Sequence, residues 1–258
     1  MMRSMLTVKK ALISAVTVVS IIIFFTSAQI LSDVPPTIQN TISEPEGYQR
    51  MVYPSGSFSS WIQNLPLKSD LIIMDYREQN IQSGFYNLFG VVKMPLMFKL
   101  DLEQCADFAM RFWAEFHKEK GRLDQLFLFD YSGQKKYLRD SGQTYTAFLK
   151  TAFANTNSHS LKMGCTPIAP DELMPGDLFV QNEKGGVGHV SVILDICQSS
   201  DGKRLFLVGY SFMPAQEFHI ENAADEYGID GWFTLEGYIQ YLRDHLDYGE
   251  PVLRRFAH

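Results

Sequence analysis

A stripe of apolar side chains predicts an amphipathic helix in the middle of the chain. Its members recur at steps of three and four residues, which is the spacing of one helix face: Leu102, Cys105, Ala109, Phe112 and Phe116. Asp101 and Gln104 stand three residues apart at its start, as in a capping box, and Gly121 follows its end. We therefore predict a helix over residues 102–120 that carries Cys105 in its first turn.

The apolar period changes to two after Asp177, which predicts consecutive antiparallel strands. The expected strands are residues 177–181, 188–196, 204–212 and 216–220, and residues 199–202 form a hairpin turn between the second and the third. In the second strand, Val190 and Val192 belong to an apolar face, whereas His189 belongs to the opposite, more polar face.

Shorter elements precede these strands. The predicted ones are a helix capped by Ser57 that stops before Pro66, strands at residues 71–74 and 90–100, a buried strand at 126–129, a helix at 144–153 and a polar loop at 155–160. Helices and antiparallel strands in one chain of this length indicate a single α+β domain.

The N-terminal sequence predicts export. Residues 1–28 combine a basic start, an apolar run and small residues at a cleavage site, as in a signal peptide. Residues 11–31 also reach the length of about 20 residues that an uncleaved membrane anchor needs. Residues 29–47 are rich in Pro, Ser and Thr and predict a flexible tether, so the domain is expected to cover residues 48–258, in a periplasmic or extracellular location.

The charge balance excludes some partners. The full chain has 23 Lys and Arg against 29 Asp and Glu, and loss of the three basic residues in the first 28 leaves a net charge of −9. An acidic exported domain is not expected to bind nucleic acid. Contact with a membrane is expected only through the N-terminal segment.

Three cysteines leave at least one free thiol. Cys165 and Cys197 flank the strands around His189 and could form a disulfide, or all three cysteines are reduced and buried. The histidines and cysteines show no metal-ligand spacing, and no phosphate-binding loop occurs, so we expect neither a metal nor a cofactor.

Two residues have the chemistry of a cysteine hydrolase. A helix N-terminus lowers the pKa of a cysteine and favours the thiolate, which is the expectation for Cys105. His189 follows a glycine-rich loop, where the backbone can approach a substrate closely. Each residue alone also has a plainer interpretation, since a cysteine on an apolar stripe is often a small core residue and a histidine after a flexible loop is often solvated.

The sequence around these residues resembles a known group of enzymes. Gln104-Cys-Ala-Asp-Phe, Met174-Pro-Gly-Asp-Leu-Phe-Val and Gly188-His-Val-Ser-Val-Ile are similar, in this order, to the Cys, Pro-Gly-Asp and His blocks of NlpC-type papain-like peptidases. From about residue 48 to the C-terminus the chain is more closely similar to the bacterial domain-of-unknown-function family 4846, through motifs that include Ser211-Phe-Met-Pro-Ala-Gln. The resemblance implies a papain-like (NlpC-type) core, in which the thiol helix packs on an antiparallel sheet behind an extended N-terminal lead-in.

The resemblance also implies roles. Cys105 would be the nucleophile and His189 the base, and a polar residue on the following strand would orient the imidazole. The chain departs from the family pattern at this third, orienting position. The residues that could take its place are Tyr210, Ser211 and Gln216. Gln216 could instead be an oxyanion donor, or the segment around Pro214 could be only a conformational corner. His219 is expected to be an ordinary strand residue.

These observations lead to two hypotheses. The first is an exported cysteine hydrolase or amidase that cleaves an amide bond, such as that of a cell-wall peptide, with Gln104, Gly188 and Ser211 as binding residues. The second is a non-catalytic envelope module that binds such a ligand on the same fold.

Overall fold

The computed structural model describes residues 35–81 and 84–257. From Pro36 onward they form one compact unit. The predicted signal peptide at residues 1–28 lies outside the described residues, as do the predicted anchor at 11–31 and the first part of the tether. Within the described part of the chain, no helix is long and apolar enough to cross a bilayer.

A large antiparallel sheet is the centre of the fold. Its strands are β1 (Tyr48–Arg50), β2 (Leu88–Val91), β5 (Thr166–Pro167), β6 (Leu178–Gln181), β7 (His189–Ser199), β8 (Arg204–Tyr210), β9 (His219–Glu221), β10 (Gly228–Ile229), β11 (Trp232–Phe233) and β12 (Val252–Arg255). A separate hairpin contains β3 (Phe127–Phe129) and β4 (Lys135–Tyr137). The main order is β10-β11-β8-β7-β6-β12-β5, while β1 pairs with the end of β7 and β9 connects β8 to β2.

The predicted run of antiparallel strands is confirmed. β6, β7, β8 and β9 are neighbours in sequence order, and each pair is antiparallel. The Ser199 N–H donates a hydrogen bond to the Lys203 carbonyl oxygen, which closes the predicted hairpin turn between β7 and β8. The expected second sheet face is not solvated, however, because Ser191 and His189 are buried together with their apolar neighbours.

Helices cover both faces of the sheet. The seven in the described part of the chain are α1 (Ile38–Thr41), α2 (Phe58–Gln63), α3 (Cys105–Glu119), α4 (Leu138–Ser141), α5 (Tyr145–Asn155), α6 (Ser158–Gly164) and α7 (Leu235–His245). α3 packs on the face of β7 that carries Val190 and Val192. α7 packs on the other face, where the Tyr238 hydroxyl donates to Ser191 Oγ.

The thiol helix begins three residues later than predicted. α3 starts at Cys105 with Gln104 as the N-cap, and the Gln104 N–H donates to Asp107 Oδ2. Asp101 is therefore not the cap. Its Oδ1 instead accepts hydrogen bonds from Ala215 N and from Gln104 Nε2, which fixes the loop around residue 215 beside the helix start.

Four other predicted segments differ from the structure. Residues 36–47 are not a flexible tether, because α1 folds onto the core and buries Ile38 and Ile42. Residues 71–74 and 90–100 do not form strands of those bounds; the strand in this region is β2 (Leu88–Val91). The loop predicted at 155–160 contains the start of α6, which Asn157 caps.

The packing of α1 predicts that the N-terminal segment stabilises the domain. Ile38 is fully buried, so Ile38→Ala should lower the free energy of unfolding by about 2–4 kcal/mol through lost burial and a cavity. Val52 is 88% exposed, and Val52→Ala should change it by less than about 0.5 kcal/mol. Urea unfolding of the full chain measures both. Equal, small effects would show that α1 does not belong to the folded unit.

Candidate active site

The Cys105 thiol lies against the start of β7. Its Sγ donates a hydrogen bond to the carbonyl oxygen of Gly188 at 4.0 Å, and the Val190 N–H also faces the sulfur. Gly188 and Val190 are the two neighbours of His189 in sequence. The fold therefore brings the predicted nucleophile to the backbone on both sides of the predicted base.

Burial gives the thiol a neutral resting state. Burial raises the pKa of Cys105 to about 12, an effect larger than the opposing hydrogen bonds from the Val190, Ala106 and Cys105 amides. The expected lowering by the helix N-terminus is thus overturned, because desolvation penalises the thiolate more than those amides stabilise it. A thiol that donates to a carbonyl oxygen also retains its proton.

The His189 ring projects from the other face of β7, on the side that α7 covers. It is 1% exposed and packs edge-on against the Tyr210 ring, with 4.9 Å between the centroids. Neither ring nitrogen has a hydrogen-bond partner. Burial, and to a smaller extent the neighbouring His219, lower the pKa of His189 to about 3.

Cys105 and His189 are consequently adjacent in backbone but not joined by a side-chain hydrogen bond. The Phe212 side chain links their surroundings, since it lines the cleft next to the thiol and lies 5.6 Å from the His189 ring. Hydrogen bonds of catalytic residues are often long or poorly aligned in the absence of substrate.

Tyr210, one of the predicted orienting residues, belongs to a buried polar cluster behind His189. Its hydroxyl donates to Glu221 Oε2 at 2.9 Å and lies 2.9 Å from the Tyr241 hydroxyl. Its ring also packs on His219, whose Nε2 is 3.4 Å from Glu221 Oε2. Tyr210 therefore connects the base to a buried carboxyl group.

Sequence reasoning missed the contribution of β9 to this cluster. His219 and Glu221 occupy alternate positions of a short strand and so share one face. The register that pairs Tyr210 with His219 would have revealed them. His219 is a strand residue, as expected, and it is also fully buried and close to His189.

Gln216 and Ser211, the other two candidates for the residue that orients the imidazole, form no hydrogen bond to His189. Gln216 Nε2 donates to the Tyr86 hydroxyl, and the Tyr86 ring packs on His219. Ser211 Oγ hydrogen-bonds to the carbonyl oxygens of Gln216 and Glu103, which holds the 211–216 loop against the start of α3. The loop also contains a cis peptide bond before Pro214.

A surface cleft of about 490 Å³ opens at the thiol. Gln104 and Gly188, two of the predicted binding residues, line it. A side chain at residue 188 would come within 2.3 Å of the Gln181 carbonyl oxygen and 2.4 Å of Ser158 Oγ. Glycine is thus required for the close packing that brings the loop to Cys105, which is 9% exposed.

Asp107 also lines the cleft, and sequence reasoning did not identify it as a candidate site residue. It stands in the first turn of α3 and is 6% exposed, and its Oδ1 has no hydrogen-bond partner. Burial raises its pKa well above the ordinary value for a carboxyl group. Its position two residues after the nucleophile could have drawn attention to it.

The Pro-Gly-Asp block has a structural role in this fold. Asp177 forms a bidentate ion pair with Arg255, which ties the start of β6 to β12. The three cysteines are all free, so Cys165 and Cys197 do not form a disulfide. Among the described residues, no group of three or more His, Cys, Asp or Glu side chains could hold a metal ion.

A family model with the description "Domain of unknown function (4846)" matches residues 38–138 and 129–245. The chain belongs to this family. No curated protein and no solved structure matches it. The matched residues include α1, which agrees with the folded N-terminal segment, and they contain Cys105, His189 and Glu221.

The buried imidazole predicts a loss of stability in acid. In the unfolded chain an imidazole titrates near pH 6.5, whereas the pKa of His189 in the folded protein is about 3. The unfolded state therefore takes up the proton first. The contribution of His189 to stability should be complete above about pH 6.5 and should be lost as the pH decreases toward 3.

His189→Gln tests this assignment by urea unfolding between pH 7 and pH 4. The free energy of unfolding should depend less on pH than in the wild type, by up to about 1.4 kcal/mol per pH unit. An unchanged dependence in His189→Gln would contradict the buried neutral imidazole.

Proposed function

We propose that this protein is a cysteine hydrolase that cleaves an amide bond, with Cys105 as nucleophile and His189 as general base. The observation that carries the proposal is the position of the Cys105 sulfur. It lies at an open cleft, at the N-terminus of α3 and 4.0 Å from the carbonyl oxygen of the residue before His189. The similarity of the Cys and His blocks to NlpC-type peptidases supports the same assignment and a papain-like fold.

The ring nitrogens of His189 are free to accept a proton. Neither has a competing partner, and burial keeps the imidazole neutral at physiological pH but makes it a weak base. Because the ring and the sulfur lie on different sides of β7, chemistry requires a change of backbone conformation at the start of this strand, which the glycines before His189 permit. Exposure of the ring to the cleft then restores the basicity that proton abstraction needs. Displacement of Phe212, which contacts both the cleft and the ring, by a bound substrate would open the way.

The reaction then proceeds in two steps. His189 takes the thiol proton as the sulfur attacks the amide carbonyl carbon, and the tetrahedral intermediate expels the amine, which receives that proton from His189. Water, deprotonated by His189, attacks the resulting thioester, which releases the carboxylic acid and regenerates the thiol. The amides of Cys105 and Ala106 face the sulfur and are the first oxyanion donors.

Tyr210 would position the imidazole. Its ring packs edge-on against His189, and its hydroxyl is fixed by Glu221 and Tyr241. This arrangement favours Tyr210 over Gln216 as the orienting residue, because Gln216 hydrogen-bonds to Tyr86 instead. Export through the N-terminal sequence is part of the proposal and depends on residues 1–28 alone.

The second candidate is a binding module with the same cleft and no catalysis. Its support is the resting geometry, in which the thiol donates to a backbone carbonyl and the imidazole faces α7. Both candidates use the cleft, and they differ in whether Cys105 reacts.

Substitution of the nucleophile distinguishes them. Cys105→Ala and His189→Ala should each lower kcat/KM for coumarin amides of amino acids by about 10³-fold or more, and the double variant should lose little further activity, because the two groups act together. Cys197→Ala removes a buried free cysteine outside the cleft and should keep the activity. Circular dichroism and Tm show whether each variant is folded. Full activity in a folded Cys105→Ala protein would exclude the hydrolase and leave the binding module.

A further inference from the structure

The size and the lining of the cleft indicate which substrates it can bind. Four segments build it: the start of α3, the end of α5 with the start of α6, the loop 186–188 and the loop at Phe212 and Met213. Its volume of about 490 Å³ lies in the range of small-molecule sites, about 300–1,000 Å³. It is large enough for one or two side chains of a peptide, next to the thiol.

The cleft offers no cationic side chain to a ligand. Asp101 and Asp107 line it, and none of the described lining residues is Lys or Arg. The helix N-terminus adds a partial positive charge, but Asp107 Oδ2 already accepts the hydrogen bond from the N-cap amide of Gln104. A substrate carboxylate would thus lose its hydration without gaining a cationic partner, which is unfavourable.

The rim of the cleft is apolar. Val187 is 67% exposed and Met213 is 38% exposed, and they lie on two separate loops. Leu102 and Phe212, which are half-buried, continue this surface, and the Phe85 ring extends it by packing 6.2 Å from Phe212. Large apolar side chains exposed together around a concave site are typical of a binding surface.

We propose that this cleft binds a peptide segment with a large, uncharged apolar side chain and no carboxylate, adjacent to the bond that the thiol attacks. This inference rests on the proposed function only where it says that the thiol attacks a bond. The binding preference applies equally to the hydrolase and to the binding module. An acidic peptide is a poor ligand, including a cell-wall peptide that presents a free carboxylate at this position.

The test separates binding from turnover. The full chain with Cys105→Ala is titrated with three capped tripeptides, acetyl-Ala-X-Ala-amide with X as Leu, Lys or Glu, by calorimetry. The Leu peptide should bind about tenfold or more tightly than the Glu peptide, because the apolar Leu side chain is removed from water when it packs against the apolar rim of the cleft. Equal or tighter binding of the Glu peptide overturns the proposal, and so does a lack of binding by all three.

A charge placed on the rim provides the matched control. Val187→Lys, made in the Cys105→Ala protein, should strengthen binding of the Glu peptide and reduce or reverse the preference. Val52→Lys is the same substitution at a residue that is 88% exposed and outside the cleft, and it should leave the preference unchanged. Equal effects of the two lysines would show that the cleft does not hold the peptide.

Turnover of the same peptides by the wild-type chain tells the two proposals apart. Selective binding of the Leu peptide without any cleavage refutes the hydrolase and retains the substrate preference. Cleavage of the Glu peptide in preference to the Leu peptide refutes the substrate preference and retains the hydrolase.

Discussion

The contact between the N-terminus of α3 and the start of β7 is the interaction on which the site depends. The Cys105 thiol can donate to the Gly188 carbonyl oxygen only because residue 188 has no side chain, since a Cβ there would collide with Gln181 and Ser158. The same contact lies at the cleft and places the sulfur beside the backbone of His189. One close approach thus joins two segments 83 residues apart in the chain.

Burial, more than the helix N-terminus, sets the proton state of the site. It raises the pKa of Cys105 and lowers that of His189, so that both groups are neutral at physiological pH. In this state the thiol is a weak acid and the imidazole a weak base, so proton transfer between them requires that the imidazole leave its buried position. The cluster of Tyr210, His219 and Glu221 behind the imidazole supplies the polar surroundings that the apolar core would otherwise lack.

The parts of the fold that depend on local periodicity could be predicted. The apolar stripe from Cys105 to Phe116 gave the correct helix, and the alternation after Asp177 gave the correct antiparallel strands, because each pattern reports one buried face. The solvent exposure of His189 could not be predicted in this way. It depends on α7, which covers the second sheet face from a distant part of the sequence.

The site was predicted to a similar extent. The structure places Cys105 beside the backbone next to His189, since the two motifs lie at the starts of elements that meet; their joint role stays a prediction. The side-chain direction of His189 and the roles of His219 and Glu221 follow from strand register, which a single sequence does not specify. The pKa of the Cys105 thiol depends on its burial by loops 186–188 and 211–216. The conformations of these loops could not be predicted from the sequence either.

Capture of an acyl group on Cys105 tests the account most directly. The full chain is mixed with a p-nitrophenyl ester of an N-acetylated apolar amino acid, quenched in acid within seconds, and digested for mass spectrometry. We expect the peptide that contains Cys105 to gain the mass of the acyl group as a thioester, and His189→Ala to slow its formation. Release of p-nitrophenol with Cys105 unmodified at every time point would contradict the assignment of this thiol as the nucleophile.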